Sequence, residues 1–143
     1  MSLNHWLIWA LLSALFAALT SILSKAGLEK IAPDYAVLFR TAIIAVLVLG
    51  FVIATGGWQN PLKLPPWSAG LLALSAFGTC ASWVCYYRAL KLGDASKVDP
   101  IDKSSVLLVA IFALAFLGER LSAMQWLGVG CVGLGAMLLA WKS

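Results

Sequence analysis

The chain has 143 residues, of which 62% are hydrophobic and 11% are charged. A soluble domain carries roughly 25% charged residues, so this composition excludes a soluble globular protein. The excess of apolar residues must face lipid instead of water. The formal net charge is +4, but the basic residues are scattered at the ends of apolar segments and form no cluster that could follow phosphates. We therefore expect the lipid bilayer as a partner and no nucleic acid.

Five apolar segments define the predicted architecture. A helix needs about 20 apolar residues to cross a bilayer core of about 30 Å. Asp34 is a predicted N-cap of the second helix, and Ser122 with Gln125 fits a capping box for the fifth. We predict an all-α fold, a polytopic membrane protein whose single transmembrane domain occupies residues 1–143, with helices at about 6–24, 35–55, 67–88, 99–118 and 122–141.

The fourth segment is the shortest, since its uncharged run covers only residues 104–118. A full crossing therefore draws Asp102, Lys103 and Asp99 toward the membrane. Two interpretations stay open for the stretch from Asp99 to Lys103. In the first it only starts the helix, with Asp99 as N-cap and Pro100 in the first turn. In the second its charged side chains line a wet cavity, as ionisable groups inside a membrane require.

The basic residues predict the orientation of the chain. Five crossings place the two termini on opposite sides of the membrane. Of the 10 Lys and Arg residues, Lys63 and Arg120 lie on the N-terminal side of the membrane, and the others lie on the C-terminal side. Cytoplasmic loops carry an excess of Lys and Arg, so we expect the N-terminus outside and the C-terminus in the cytoplasm.

Arg40 is a further ionisable candidate, about five residues or roughly 8 Å inside the second helix. Its guanidinium either snorkels to the cytoplasmic interface, or lines a cavity where it attracts anionic groups or pairs with an acid. Aromatic walls with a few hydroxyls suit a pocket for an organic solute, and packing against lipid or the protein core is the alternative for each ring. The predicted solute pathway contains Trp9, Ser13, Arg40, Trp83, Tyr86, Tyr87, Asp102 and Lys103.

Small residues form two faces of the fifth helix. Gly128, Cys131 and Gly135 lie on one face at helical spacing, and Gly133 and Ala136 lie on another. Small residues let helices approach closely in lipid. The faces therefore pack against other helices of the same chain, or one of them forms a dimer contact.

Signatures of enzymes are missing from the sequence. It has one His, no G-x-S-x-G, no H-E-x-x-H and no phosphate-binding loop. We predict a protein that is not an enzyme, with no cofactor and no metal site.

Residues 86–95 (YYRALKLGDA) and 116–122 (FLGERLS) resemble motifs of EamA-type proteins in the drug/metabolite transporter superfamily. The first resembles the exit of their third helix, and the second resembles the turn before their last helix. The segment 38–40 (LFR) in the second helix also matches. The segment 98–106 (VDPIDKSSV) is most similar to the five-helix bacterial and archaeal branch, and the resemblance covers nearly the whole chain.

The resemblance implies a transporter of a small metabolite or drug-like solute in the inner (cytoplasmic) membrane of a prokaryote. Ten-helix relatives enclose a central pathway between two five-helix repeats of opposite orientation. The chain would then be half of such a fold, and a homodimer working by alternating access would complete it, with parallel and antiparallel arrangements both open. The first span has no acid, so the proton exchange of the four-helix multidrug members is not implied. The alternative function is a non-transporting membrane subunit that docks to a larger membrane complex.

Overall fold

A computed structural model of the protein describes residues 5–60 and 63–141. Within those residues the regular structure is helical, with no strand. The elements are α1 (His5–Gly27), α2 (Pro33–Ala54), α3 (Pro66–Leu92), α4 (Ala95–Lys103), α5 (Ser105–Phe112), a π-helix (Ala113–Leu117) and α6 (Ala123–Ala140). The described residues contain 5 helices long and apolar enough to span a membrane, because α4, α5 and the π-helix together form one candidate span, Ala95–Leu117. The predicted fold class, an all-α polytopic membrane protein with five transmembrane helices, is confirmed.

Large apolar side chains cover the surface of the single chain. Phe77 is 76% exposed and Phe116 is 81% exposed, whereas few side chains are fully enclosed, Leu28 and Leu90 among them. Water would hydrate this surface at a cost of roughly 25 cal/mol for each Å² of apolar area. Lipid removes that cost, and the helices satisfy their own backbone groups, which is the condition for crossing a bilayer.

The turn before α6 follows the prediction from the sequence. The Ser122 hydroxyl accepts a hydrogen bond from the Gln125 backbone N–H at 3.3 Å, and the Gln125 side chain accepts one from the Ser122 N–H at 2.7 Å. The predicted capping box is therefore confirmed. Gly118 ends the preceding span with a φ of 68°, a left-handed conformation that a side chain would strain.

Two predicted N-caps are wrong. The N-cap of α2 is Ala32, and Asp34 lies inside the first turn, where its charge still suits the helix dipole. The N-cap of α4 is Asp94 instead of Asp99, so Pro100 lies within the helix. The stretch from Asp99 to Lys103 therefore does not start a helix, which removes the first of its two interpretations.

The fourth span is interrupted directly after this stretch. Pro100 lies inside α4, one turn before the interruption, and lacks the N–H that would bond to the preceding turn. The Ser104 hydroxyl donates to the Ile101 carbonyl at 2.6 Å, and α4 ends there before α5 begins. Asp102 and Lys103 occupy the last turn of α4, where their side chains pair at 3.0 Å.

The chain forms two compact units. One is Ser24–Lys91, with the end of α1, all of α2 and most of α3, and the other contains the remaining residues. In the second unit α6 packs closely against α5 at Gly133, where an added Cβ would lie 2.6 Å from Cδ1 of Leu107. Gly133 and Ala136 are buried, Gly135 is half-buried, and Gly128 and Cys131 are exposed on the single chain.

Candidate functional site

The candidate site lies in the unit Ser24–Lys91. An ion pair between the start of α2 and the end of α3 closes the site at these helix ends. Arg88 donates from Nε to Oδ1 of Asp34 and from Nη2 to Oδ2, each at 2.9 Å. This two-pronged geometry matches the planar guanidinium to the planar carboxylate and fixes their orientation. Asp34 is in the first turn of α2 and Arg88 in the last turns of α3, so the pair holds these two helix ends side by side.

Lysine side chains hold the end of α1 against the end of α3 in the same unit. Lys91 Nζ donates to the carbonyl of Leu28 and, at 2.9 Å, to that of Glu29. Lys25 Nζ donates to the carbonyl of Leu90 at 2.8 Å. The last carbonyls of a helix lack intrahelical donors, and cations there also oppose the helix dipole favourably. Leu28 and Leu90 are buried beside these contacts, which gives the site a fixed base.

Arg40 forms the centre of the site together with two aromatic rings. Its Cζ lies over the Trp83 ring at 4.6 Å from the centroid, and 5.8 Å from the Tyr87 centroid. Tyr87 is 3% exposed, and its hydroxyl is 2.7 Å from Oγ of Ser24. The Tyr86 ring meets the Tyr87 ring edge-on, with centroids 5.8 Å apart. The rings therefore hold the cation in a fixed place by cation–π attraction.

An open groove of about 420 Å³ begins at the Trp83 ring and follows α3 toward its N-terminal half. Two of its three hydroxyls are bonded to the backbone, because Thr41 donates to the Val37 carbonyl at 2.7 Å and Thr79 to the Ser75 carbonyl at 3.0 Å. The groove therefore offers mainly apolar surface. Its walls are Val37, Thr41, Leu72, Ser75, Ala76, Thr79, Cys80 and Trp83.

The structure groups only part of the predicted pathway. It brings Arg40, Trp83, Tyr86 and Tyr87 together in one unit. Asp102 and Lys103 belong to the other unit, where they pair with each other. Trp9 and Ser13 are exposed residues of α1 in that same unit. The shared role of all eight residues in one pathway stays a prediction.

Sequence reasoning missed the Asp34–Arg88 pair and the groove beside it. A signal for the pair was present, since α2 starts and α3 ends on the same side of the membrane and each carries one charge of opposite sign near that end. The groove has no such signal, because it depends on which faces of the two helices point toward each other. Thr41 and Cys80 could not be assigned to it from spacing alone.

The spans and the surface define the chain as a polytopic helical membrane protein. The sequence model of the EamA-like transporter family matches residues 4–141, and the chain belongs to that family. The family resemblance stated from the sequence motifs is thereby confirmed, and the protein belongs to a class of membrane transporters.

Several known proteins are similar to the chain. An uncharacterized transporter in the cobO 3′ region of Sinorhizobium sp is 52% identical over 137 residues, which cover 96% of this chain and 97% of the relative. An uncharacterized transporter of Synechocystis is 29% identical over 129 residues, 85% of this chain but 37% of the relative. The mouse magnesium transporter NIPA4 is 35% identical over 92 residues, 64% of this chain and 21% of the relative. No solved structure matches the chain.

Proposed function

We propose that the protein moves a small metabolite or drug-like solute across the cytoplasmic membrane of a bacterium by alternating access. The observation that carries this proposal is Arg40, a cation within a membrane span that lies over Trp83 beside an apolar groove. A charge inside a span is costly and is typical of substrate and ion pathways. Family membership and the transporter names of the relatives support the same conclusion.

The working unit in this proposal is a homodimer. The chain covers 97% of the Sinorhizobium relative but 37% of the Synechocystis relative, so transporter-like chains of this family exist at both lengths. Two copies of the short form would supply the two repeats that enclose a pathway in longer transporters. Gly128 and Cys131 lie on the exposed face of α6. Their side chains are small enough for close helix contact, and this face is the proposed dimer surface.

The proposed pathway combines the grouped residues with the other predicted ones. Arg40, Trp83, Tyr86 and Tyr87 bind the solute in the unit Ser24–Lys91. Asp102 and Lys103, at the interruption of the fourth span, together with Trp9 and Ser13 on α1, complete the path. The N-terminus lies outside and the C-terminus in the cytoplasm, and residues 1–143 act as one transmembrane domain.

Magnesium, named for the mouse relative, is not the solute that this site favours. The match covers 21% of that relative, and the side chain at the centre of the site is a cation. An arginine repels a divalent cation and attracts anions, with an energy that grows as water is excluded.

Reconstitution tests transport against the alternative of a non-transporting subunit. The purified chain in liposomes should accumulate a labelled organic solute in counterflow with the same unlabelled solute inside, and Arg40→Gln should abolish the accumulation. Arg120→Gln, an exposed arginine in the turn before α6, is the matched control and should keep wild-type rates. A chain that is stable only with another polypeptide and moves no solute would support the subunit function.

A further inference from the structure

The Arg40 guanidinium has hydrogen-bond donors that no described side chain or carbonyl uses. It lies over the Trp83 ring, and in the part of the chain that the structure describes it forms no ion pair and no hydrogen bond. A guanidinium carries five N–H donors in its own plane, and a ring under its face leaves them pointing outward. A carboxylate takes two such donors in parallel, which is the strongest geometry available to it.

The position of Arg40 separates it from the ion pair at the helix ends. Arg40 is six residues after Asp34, about 9 Å along α2, and Trp83 is five residues before Arg88, about 8 Å along α3. The Asp34–Arg88 pair already balances its own charges at the helix ends. The lysines near the same helix ends are bonded to backbone carbonyls. Arg40 is therefore the positive charge that lies deeper in the span and has no such partner among the described residues, and an opposite charge is attracted more strongly there.

The groove fixes the second property of the ligand. Its volume of about 420 Å³ falls within the range of roughly 300–1,000 Å³ that small-molecule sites occupy. The lining is mainly apolar, and the hydroxyls of Thr41 and Thr79 are bonded to backbone carbonyls, so the walls favour apolar surface. Trp83 belongs to both parts, since it lines the groove and lies under the guanidinium.

We infer that the solute is an organic anion with a compact apolar or aromatic body, which places its carboxylate on Arg40 and its body in the groove beside Trp83. This inference rests on the proposed transport function and names its substrate class. The occupant is a water-soluble solute instead of a membrane lipid. Two acyl chains, each covering half of a hydrocarbon core of about 30 Å, would not fit in a groove of this size.

Binding of a matched pair of ligands tests the charge requirement. Equilibrium dialysis would measure labelled naphthoate and uncharged naphthamide on the full chain in phosphatidylcholine nanodiscs. Naphthoate should bind at least about tenfold more tightly than naphthamide, because a hydrogen-bonded charge pair is worth that much or more. Arg40→Gln should remove this preference and leave naphthamide binding unchanged, which also shows that the variant is folded. Arg40→Lys should retain part of it, and Arg120→Gln all of it.

Two neighbouring alanines of α3 test the groove independently. Ala76 lines the groove, whereas Ala73, one turn earlier on the same helix, does not. Ala76→Leu should weaken both ligands about tenfold by filling the space, and Ala73→Leu should weaken neither. Equal loss of naphthoate and naphthamide in Arg40→Gln, or wild-type binding in Ala76→Leu, would overturn the inference.

Further experiments test the substrate class separately from transport, and they distinguish a soluble ligand from a lipid. Arg40-dependent naphthoate binding without counterflow in liposomes would uphold the ligand class and count against transport. Counterflow of an uncharged solute that Arg40→Gln leaves unaltered would uphold transport and overturn the ligand class. Replacement of part of the phosphatidylcholine by phosphatidylglycerol should leave naphthoate affinity within about twofold, since the inferred occupant is a soluble anion and not a lipid. Naphthoate binding that is lost because phosphatidylglycerol competes for Arg40 would show that the occupant is a lipid, and it would overturn the inference.

Discussion

At the scale of single residues, Tyr87 connects the base of the candidate site to its centre. Its hydroxyl meets Ser24 at the end of α1, and its ring is one of the two that hold Arg40. A buried hydroxyl without a partner is costly, so this contact sets where the ring lies. The sequence predicted Tyr87 as a pathway residue from its aromatic character, but its partner lies 63 positions away along the chain.

Removal of the Tyr87 hydroxyl should affect stability more than ligand preference. Tyr87→Phe loses the bond to Ser24 and keeps the ring, so we expect about 1 kcal/mol lower stability of the folded state. Ser24→Ala should cost a similar amount, and the double variant should cost little more than either one, because both remove the same bond. Unfolding in detergent measures all three variants. Costs that add in full would show that the two hydroxyls do not interact.

The Asp34–Arg88 pair should be visible as coupling between the two charges. Asp34→Asn and Arg88→Gln should each lower the midpoint of thermal unfolding. The double variant should have a midpoint no lower than that of the less stable single variant. Raised salt should reduce the coupling, since both side chains are more than half exposed. Arg120→Gln serves as the control and should leave the midpoint unchanged. A double variant that sums both losses would contradict the pairing.

At the scale of helices, local patterns in the sequence predicted elements, whereas contacts between elements could not be read from it. The five spans and the Ser122–Gln125 capping box depend on residues close together in sequence, and both predictions are confirmed. Asp99 failed as a cap because the helix extends back to Ala95 and tolerates Pro100 inside it. The contact between Arg40 and Trp83 could not be predicted, because it depends on which faces of α2 and α3 meet. Hydropathy does not carry that information when every face is apolar.

Gly133 provides a test of packing between α5 and α6. An added Cβ would lie 2.6 Å from Cδ1 of Leu107 and 3.3 Å from its Cγ, so Leu107 must leave its conformation. Alanine in place of glycine also gains about 1 kcal/mol of helix propensity. Gly130→Ala in the same helix meets nothing within 4 Å and isolates that gain. Gly133→Ala should therefore be less stable than Gly130→Ala by about 1–3 kcal/mol in unfolding experiments.

A shortened partner should reverse the effect at Gly133. Leu107→Ala alone leaves a space and lowers stability, but Gly133→Ala added to it should cost little or nothing further. Equal stability of Gly133→Ala and Gly130→Ala with Leu107 in place would show that α5 and α6 do not approach closely at Gly133.

At the scale of the whole molecule, the two faces of α6 have different environments. Gly133 and Ala136 are buried within the chain, and the opposite face is exposed along its length. Cys131 lies on that exposed face near the middle of α6, with Met124 seven residues before it and Leu138 seven residues after it. Seven residues make nearly two turns, so the three side chains share one face and are about 10 Å apart along the axis.

This spacing makes disulfide formation a test of both the dimer and its symmetry. With Cys80 and Cys85 replaced by Ser, Cys131 should join two copies on mild oxidation in membranes, whether the α6 helices run parallel or antiparallel, because a central residue meets its copy in either case. In a chain without the native cysteines, Met124→Cys should join only parallel copies, since antiparallel ones separate these residues by about 20 Å. Met124→Cys and Leu138→Cys chains, expressed together, should join to each other only in the antiparallel dimer.

Val132→Cys, at almost the same depth on a different face, is the control and should stay monomeric. Equal cross-linking at Cys131 and Val132→Cys would indicate random collision and would contradict a dimer through this face.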